Sequence, residues 1–555
     1  MSVSDGTTRE LGKGFALFAV AFGLLVCVLT LLSVIGLTVS FAAILFAVLT
    51  LSAFVVIGFA ARTMLLPDFQ VASRRVPAGL NGMATAAAFL GSGGFLGLAA
   101  AFYAGNRAAI AVVIGWALGF LALAVLVAPY LRKAAAVTVA DFLAIRFGSA
   151  AVRLAAALVT VVCLAAFLVA EIAVAGRIAA MLLPIGPETA IVIVVFIILA
   201  GTLLGGMEAV TMTAVAQYIV LAIAFLTPVT VLSLQYFDFP LPQLSYGYAL
   251  KEVANLGGLI AIDGANRFLP LPAMDGFNMV VLAISLAAGV AALPHVAIRS
   301  VTATGIGAAR RSAGWAFFFV LVIVATAPAY GAFARLVGLQ NPAGASFDAA
   351  SVVFGLPQAA DLLPAISALA ATGALAAVLA AATALLFAIA STIGHDIYGG
   401  ILDRKGPSGR RLIVTRVILI AVAGLAGWQA THATDQVFDV AATSVSLAAS
   451  GLFPALVLGV WWNRATALGA LAGIVFGFAA AAAYVWMVVY GDIPPWQPLG
   501  TAGPALPPMA AAFFGLPVGV LALVLVSQIT PIQSPERMEI LETIRRPTPS
   551  PIFDA

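Results

Sequence analysis

One carboxylate lies inside an apolar stretch that is long enough to cross a lipid bilayer. Glu171 stands in the sequence VTVVCLAAFLVAEIAVAGRIAAML. An ionisable side chain at membrane depth is costly and marks a candidate functional site. Burial favours the neutral form of a carboxyl group, so Glu171 could take up a proton and couple transport to a proton gradient. The structural alternative is a glutamate that bridges two helices through hydrogen bonds.

A glycine-rich interruption lies in the apolar run at residues 80–104, LNGMATAAAFLGSGGFLGLAAAFYA. Each glycine lowers the stability of a helix by about 1 kcal/mol relative to alanine. A broken helix in hydrocarbon is tolerated where it lines a cavity, which makes this stretch a candidate transport site. Close packing of helices through small residues is the alternative. A helix N-terminus near Ser92, Gly93 and Gly94 would suit a substrate carboxylate.

Four further residues are candidates for binding or gating. Arg177 follows Glu171 by six positions, about 240° round a helix, and is therefore on a different face. It could attract an anionic substrate, pair with another carboxylate or extend to the membrane surface. Thr85 offers a hydroxyl in the first interrupted run. Pro294 and His295 interrupt a later run and are candidates for a hinge or gate, with a hydrogen-bonded buried histidine as the alternative.

The composition indicates a polytopic membrane protein. Hydrophobic residues make up 63% of the 555 residues and charged residues 9%, whereas soluble domains carry about 25% charged residues. No metal cluster, nucleophile motif or phosphate loop is visible, so we expect neither an enzyme nor a nucleic-acid-binding protein. The two cysteines do not indicate a disulfide framework.

Windows of about 20 apolar residues predict an all-α protein with about fourteen membrane spans. They lie near 14–37, 40–62, 80–104, 108–130, 152–183, 188–204, 212–234, 277–298, 313–338, 363–394, 411–430, 436–460, 465–490 and 508–528. The expected regions are an N-terminus with an extra first helix (1–37), a peripheral helix and cytoplasmic loop (38–79), a ten-helix core (80–460), two further helices (461–528) and a disordered cytoplasmic tail (529–555). The connections at 235–276 and 339–362 are expected to carry short interfacial helices.

The distribution of basic residues predicts the orientation. If the N-terminus is cytoplasmic, 21 of the 26 basic residues fall in cytoplasmic segments, Arg299 among them, four fall outside and Arg177 lies within a span. Because cytoplasmic loops are enriched in lysine and arginine, we expect both termini in the cytoplasm. For a bacterial source, a protein of this class would lie in the inner membrane.

Six groups of short sequence motifs lie at helix ends and in loops. They are FQVASRRVP at 69–77 with NGMA at 81–84 and FLG at 95–97, TVADFLAIRFG at 138–148, GGMEAV at 205–210, LPHVAIR at 293–299, AARRSAGW at 308–315 and GHDIY at 394–398. In this order and spacing the chain, from about residue 40 to about residue 500, resembles the sodium:solute symporter family, in particular its acetate/monocarboxylate permease-like branch.

The resemblance implies a LeuT-type fold. Spans three to twelve would form ten core helices, arranged as two inverted repeats of five helices whose first members are broken. The glycines after Leu90 interrupt span three, and Pro294 interrupts span eight. Interruptions at corresponding positions of two halves are typical of inverted-repeat transporters.

The resemblance also implies a sodium ion between the first and eighth core helices. The main-chain carbonyls of Ala87 and Leu90 would supply oxygens, and the positions on the eighth core helix fall on Ala377, Ala380 and Ala381. The two adjacent hydroxyls that the family places on the eighth helix are therefore missing.

Other positions expected to bind the cation also depart from the family pattern. Acidic positions found in many family members fall on Ala88 and near Ala214. Ser391 and Thr392 repeat the spacing of the missing hydroxyls about three turns further along the helix. At that cytoplasmic end their hydroxyls would more often bond to the local main chain. The sequence therefore leaves open whether Na⁺ or H⁺ is co-transported, and no other cofactor is expected.

These features predict a secondary active transporter that takes up a small organic acid, such as acetate or a related monocarboxylate, with Na⁺ or H⁺. The alternative is a non-transporting membrane sensor of the same fold that acts through a partner protein. The expected partners are the lipid bilayer, the organic acid and a small membrane companion subunit, for which the first span offers a docking surface.

Overall fold

Helices form nearly all of the regular structure. The computed structural model describes residues 2–105, 108–256, 276–340, 351–433, 437–491, 493–496 and 506–546. Its first eleven α-helices are α1 (Ser2–Val34), α2 (Val39–Ala60), α3 (Leu66–Val71), α4 (Ala78–Ser92), α5 (Leu98–Tyr103), α6 (Ala108–Ala122), α7 (Ala128–Lys133), α8 (Val139–Phe147), α9 (Ala150–Leu182), α10 (Pro187–Thr202) and α11 (Gly206–Phe237). The others are α12 (Pro242–Asn255), α13 (Gly276–Ala292), α14 (Pro294–Ala297), α15 (Ile306–Gln340), α16 (Val352–Ala359), α17 (Pro364–Ser391), α18 (Ser408–Ala430), α19 (Val437–Trp461), α20 (Ala467–Val489), α21 (Ala512–Ile529) and α22 (Pro535–Arg545).

The number of spanning helices differs from the predicted fourteen. Within the described ranges, twelve helices are long and apolar enough to cross a membrane, and the bent pair α13–α14 raises the number to thirteen. The predicted span near 188–204 is α10, which has 16 residues. At 1.5 Å per residue it is about 24 Å long, shorter than the hydrocarbon core of about 30 Å. The predicted span at α10 is therefore not among the twelve spanning helices, because α10 is too short.

The helix α17 lies at the centre of the molecule. In the most apolar 18-residue stretch of the span Pro364–Leu402, which contains α17, 100% of the residues are buried, whereas in that of Leu11–Val34 in α1 only 11% are. Helices α2, α4, α9 and α11 pack around α17. Alanine is the best helix former and its small side chain lets neighbouring helices approach closely, so the alanine-rich sequence of α17 suits this position.

Two helices of the core are interrupted. In α4 the main chain at Gly91 leaves the helical region, with φ 44° and ψ −150°, and a π-helical turn follows at Gly93–Gly97. Between α13 and α14 the chain bends by 49° in front of Pro294. An isolated parallel bridge joins Val76, just before α4, to Ala303, which follows α14 by six residues.

The two long connections and the tail contain helices. Short helices occur where they were predicted, α12 within 235–276 and α16 within 339–362, while residues 257–275 and 341–350 lie outside the described residues. The prediction of a disordered tail is wrong for α22. This helix starts with a proline at its first turn and buries Leu541 and Ile544. Arg537 and Arg545 donate hydrogen bonds to the main-chain carbonyls of Ile145 and Val460, which attach α22 to the C-terminal ends of α8 and α19.

Candidate functional site

Glu171 contacts the interruption of α4 from the side of α9. Its two carboxylate oxygens lie 3.2 and 3.1 Å from the main-chain nitrogen of Ser92, which donates to them, and the Ser92 hydroxyl donates at 2.8 Å. The Glu171 side chain is fully buried. Ser92 is the first residue of the helical segment that follows Gly91, where unpaired N–H groups carry partial positive charge. The carboxylate therefore occupies the position that the sequence suggested for a substrate anion.

The contact depends on the conformation of Gly91. Its combination of φ 44° and ψ −150° belongs to a region that glycine alone adopts readily. A Cβ atom added to Gly91 would lie 2.6 Å from Oε1 of Glu171 and 2.9 Å from the Cβ of Ala381. The absence of a side chain thus lets α9 and α17 both approach the main chain of α4 at this point.

The charge of Glu171 has no internal counter-ion within the part of the chain that the structure describes. Its hydrogen bonds there go to Ser92 alone, and no basic side chain forms an ion pair with it. Arg177, the predicted substrate residue on the same helix, is half-buried and engages other groups. An ionised Glu171 would therefore have no counter-ion among the described residues.

A small apolar cavity lies beside the interruption. Its volume is about 30 Å³ and its walls include Phe89, Gly93, Gly94, Trp116 and Phe167. This is room for on the order of one or two water molecules. Phe89 and Trp116 meet edge to face with their ring centroids 5.0 Å apart. The described side chains of the lining include no charged group, so the cavity suits the apolar part of a ligand.

The residues predicted to bind the cation lie in two separate places. Ala87, Leu90 and Ala377 are buried in the centre of the molecule, and the Leu90 carbonyl accepts a hydrogen bond from the N–H of Gly93. Ser391 and Thr392 lie ten or more residues beyond Ala381, or about 15 Å along the helix. The Thr392 hydroxyl donates to the Ala388 carbonyl at 2.8 Å. Thr85 is bonded in the same local way, to the Asn81 carbonyl at 2.6 Å.

The second interruption brings two buried basic residues together. His295 and Arg299 are each 1% exposed and follow Pro294 by one and five residues. Neither ring nitrogen of His295 has a hydrogen-bond partner of acceptable geometry among the described residues, although the ring lies next to the Ala88 main chain. The His295 ring meets Phe167 edge to face at 5.8 Å.

Arg299 is the residue that sequence reasoning missed. The charge distribution assigned it to a cytoplasmic segment, where an exposed, topology-determining role would be expected. It is instead as buried as the centre of α17. The available signal was its place at the end of LPHVAIR, four residues after His295 and with only apolar residues between them.

A cluster of paired charges lies at the predicted cytoplasmic end of α17. Nη2 of Arg153 lies 2.9 Å from Asp141, and its Nη1 lies 3.4 Å from Asp396. The Thr138 hydroxyl donates to Asp396 at 2.6 Å, and Nε2 of His395 lies 3.5 Å from Asp141. These contacts tie α8 and α9 to the end of α17.

Asp141 is ionised in this cluster. Burial opposes ionisation, but the hydrogen bond and charge of His395, together with the charge of Arg153, outweigh it and lower the pKa of Asp141 to about 2. Asp141, His395 and Asp396 place potential metal ligands within 4.8 Å of one another. Because the Arg153 guanidinium already contacts both carboxylates, we interpret the cluster as a structural ion-pair network.

Known proteins resemble the chain over most of its length. An uncharacterized symporter of Cupriavidus necator is 29% identical over an alignment of 641 residues, which covers 90% of this chain and 93% of that protein. The substrate-bound outward-open structure of a Na⁺-coupled sialic acid symporter superposes with a TM-score of 0.72 at 17% identity, covering 89% of this chain and 99% of that one. The closed structure of Mhp1, a nucleobase-cation-symport-1 family transporter, aligns less closely, with a TM-score of 0.48 and 16% identity over 87% of this chain and 100% of that one.

A family model agrees with these relatives. The model of the sodium:solute symporter family matches residues 69–477. The protein is therefore an integral membrane protein and a cation-coupled solute symporter rather than an enzyme, and nothing favours the sensor alternative. The match includes both interrupted helices, Glu171 and the paired-charge cluster, and the chain belongs to the sodium:solute symporter family.

Proposed function

We propose that this symporter takes up a small monocarboxylate, such as acetate or a close relative, together with one proton. It would act by alternating access in a bacterial inner membrane. In this proposal α4–α5 and α13–α14 are the first helices of two inverted repeats, and the substrate binds where the two interruptions meet. Interrupted helices at the midplane are the usual binding elements of such transporters.

The observation that carries the proposal is the contact between Glu171 and Ser92. The ionised carboxylate occupies the N–H and hydroxyl of Ser92, the donors that a substrate carboxylate would use. A proton on Glu171 converts one acceptor oxygen into a donor and weakens the hold on Ser92. The substrate anion can then bind these donors, so that proton and anion are bound together.

The surroundings of Glu171 favour a proton over a sodium ion. Hard cations are held by several oxygen ligands at once. The helix α17 presents alanine at Ala377, Ala380 and Ala381, and the Leu90 carbonyl already accepts a hydrogen bond. A proton needs a single carboxyl group, which Glu171 provides.

The cavity supports a short apolar substrate tail. Phe89, Trp116 and Phe167 form apolar walls beside Gly93 and Gly94. A monocarboxylate combines a charged end for the Ser92 donors with an apolar end for these walls. A dicarboxylate would place a second charge against aromatic rings, without a described cationic partner in the lining.

The test measures uptake of labelled acetate into proteoliposomes under separately imposed proton and sodium gradients. Protein-free liposomes subtract the acetic acid that diffuses through the lipid. We expect the proton gradient to drive accumulation in the wild type and the sodium gradient to add little. Glu171→Gln should lose accumulation but keep acetate exchange, because glutamine resembles the protonated side chain and cannot release a proton.

Glu171→Asp is the matched control. It keeps the carboxyl group but shortens its reach, so it should retain proton-driven accumulation at a reduced rate. Accumulation driven by sodium alone, and unchanged in Glu171→Gln, would disprove the proton mechanism. A wild type that accumulates no small carboxylate under either gradient would disprove the proposed substrate class.

A further inference from the structure

Arg299 is a buried cation, and most of its guanidinium nitrogen atoms lack a hydrogen-bond partner among the described residues. It is 1% exposed, and its Nε and Nη2 atoms have no hydrogen-bond partner within the described ranges. The neighbour of Nη1 is the Thr211 hydroxyl at 3.5 Å. No carboxylate in those ranges forms an ion pair with Arg299. Because a buried charge without a counter-ion is strongly unfavourable, this arginine needs an anion from elsewhere.

The two open nitrogen atoms define the chemistry of that anion. Nε and Nη2 lie along one edge of the guanidinium group. A carboxylate binds such an edge with two parallel hydrogen bonds, one from each nitrogen atom. The unpaired edge of Arg299 therefore offers the pair of donors that a planar carboxylate accepts.

The main chain of Arg299 is held firmly while its side chain is not. The Asn81 amide and the Thr302 hydroxyl each donate to the Arg299 carbonyl at 2.8 Å. The Thr302 hydroxyl also lies 3.2 Å from Oδ1 of Asn81, and the N–H of Val76 donates to the Thr302 carbonyl at 3.1 Å. These bonds fix the main chain of Arg299 to the start of α4.

A line of residues connects Arg299 with the first interruption. Phe167 lines the cavity beside Gly93 and Gly94 and contacts the His295 ring. Arg299 follows His295 by four residues, about one helical turn and about 6 Å nearer the predicted cytoplasmic side. An anion that leaves the cavity inward would pass His295 and then meet the open edge of Arg299.

We propose that Arg299 is an inner binding site for the carboxylate of the transported acid. The anion would occupy it after leaving the donors at Ser92 and before release into the cytoplasm. The inference rests on the proposed function, because it takes the substrate to be a monocarboxylate. It assigns to Arg299 a binding role that differs from that of the other buried cytoplasmic arginines.

Arg132 provides a matched control. It is 5% exposed and also lies at the predicted cytoplasmic side. Its Nε donates to the Ala303 carbonyl at 2.8 Å, four residues from Arg299. Replacing Arg132 therefore removes a buried arginine from the same region and leaves the open edge of Arg299 intact.

The test compares acetate uptake from the two faces of the membrane. Labelled acetate is offered to right-side-out and inside-out vesicles that contain the wild type, Arg299→Gln, Arg299→Lys or Arg132→Gln. In Arg299→Gln we expect the cytoplasmic half-saturation concentration to rise about tenfold, equivalent to about 1.4 kcal/mol. The external value should change less than about twofold. The cytoplasmic half-saturation concentration of Arg299→Lys should lie between those of the wild type and Arg299→Gln, because lysine keeps the charge but lacks the two-nitrogen edge.

The inner site would be overturned if Arg299→Gln changed the half-saturation concentration for acetate equally on both faces of the membrane, or on neither. It would also be overturned if Arg132→Gln raised the cytoplasmic value as selectively as Arg299→Gln does. If Arg299→Gln does not assemble, Arg299→Lys decides: a raised cytoplasmic value supports the site and a wild-type value overturns it. A wild type that moves acetate from neither face would remove the proposed function instead. Acetate would then have to raise the melting temperature of the purified wild type more than that of Arg299→Lys for the inner site to stand.

Discussion

The two interrupted helices differ in the sign of the charge that each leaves open. At Gly91 the carboxylate of Glu171 bonds to Ser92 and has no cation among the described residues. At Pro294 the guanidinium of Arg299 presents two nitrogen atoms without a partner in those residues. An internal ion pair between the two would have satisfied both charges. In our proposal, their separation leaves one place for a proton and another for an anion.

The paired-charge cluster of Asp141, Arg153 and Asp396 shows the opposite arrangement. Arg153 contacts both Asp141 and Asp396, and Thr138 donates to Asp396. Here buried charges satisfy one another and join α8 and α9 to the end of α17. Removing one partner of a buried ion pair strongly destabilises a protein, because the other charge is left buried without a partner. A buried charge that has no partner does not stabilise the fold in this way. The protein thus pairs charges where it needs a fixed contact and leaves them open where ligands are expected.

The largest effect is expected for Gly91→Ala, which disrupts the interruption of α4 and leaves the one at Pro294 unchanged. The observed φ and ψ would be strained by about 1–3 kcal/mol in alanine. The new Cβ would also lie 2.6 Å from Oε1 of Glu171. Because about 1.4 kcal/mol corresponds to tenfold in rate, we expect proton-driven acetate uptake to fall about 100-fold in proteoliposomes.

Gly79→Ala on the same helix is the control for this substitution. No neighbouring atom lies within 4 Å of a Cβ added to Gly79. Uptake by this variant should match the wild type at equal protein content. Retained uptake in Gly91→Ala would mean that the Glu171 contact does not govern transport.

The second prediction compares the change in stability when a paired charge, Asp141, or an unpaired charge, Arg299, is removed. Asp141→Asn should destabilise the protein by about 2–3 kcal/mol, because it removes a charge-assisted partner of Arg153. Arg299→Gln should leave the melting temperature unchanged or raise it, because it removes an unpaired charge. Thermal unfolding of the purified variants in detergent measures both. A larger loss in Arg299→Gln than in Asp141→Asn would reverse our assignment of the two regions.

The pH dependence of the Asp141→Asn effect follows from its pKa. This pKa is lowered from 3.8 to about 2, so the carboxylate contributes fully above pH 3.8 and loses its contribution as the pH falls through about 2. The loss of melting temperature in Asp141→Asn should therefore be equal at about pH 5 and about pH 8. A loss confined to the higher pH would show that Asp141 titrates in this range.

Much of the architecture could be predicted because apolar length and glycine or proline interruptions are local properties. The interruptions near Gly91 and at Pro294 were visible in sequence for this reason. The number of spans was less certain, since α10 is apolar but short. The tail was mispredicted, since composition does not reveal that Leu541 and Ile544 find a surface to pack against.

The site was only partly predictable because its contacts join residues that are distant in sequence. Glu171 was a candidate from its setting, but its partner Ser92 lies 79 residues earlier on another helix. Arg299 was assigned to the cytoplasmic surface because the charge rule counts residues and does not measure depth. Its burial depends on packing between α4, α11 and the segment after Pro294, which no local pattern encodes.

The third prediction tests whether the two open charges act independently. In the double variant Glu171→Gln/Arg299→Gln, the change in cytoplasmic half-saturation caused by Arg299→Gln should persist. Residues without contact usually show additive effects within about 0.5 kcal/mol, or about twofold in concentration. Acetate exchange from inside-out vesicles provides the measurement, because exchange survives in Glu171→Gln. A coupling above about 1 kcal/mol would indicate that the two charges meet during transport.

The smallest expected effect concerns the membrane potential. If each cycle carries one proton on Glu171 and one monocarboxylate, its net charge movement is zero. One uncompensated charge would be worth about 2.3 kcal/mol per 100 mV, or about 50-fold in accumulation. A valinomycin-imposed potassium potential should therefore leave the steady-state acetate ratio unchanged at a fixed proton gradient. A ratio that follows the potential would require a second cation per anion, and the open charge at Gly91 would then be only part of the coupling site.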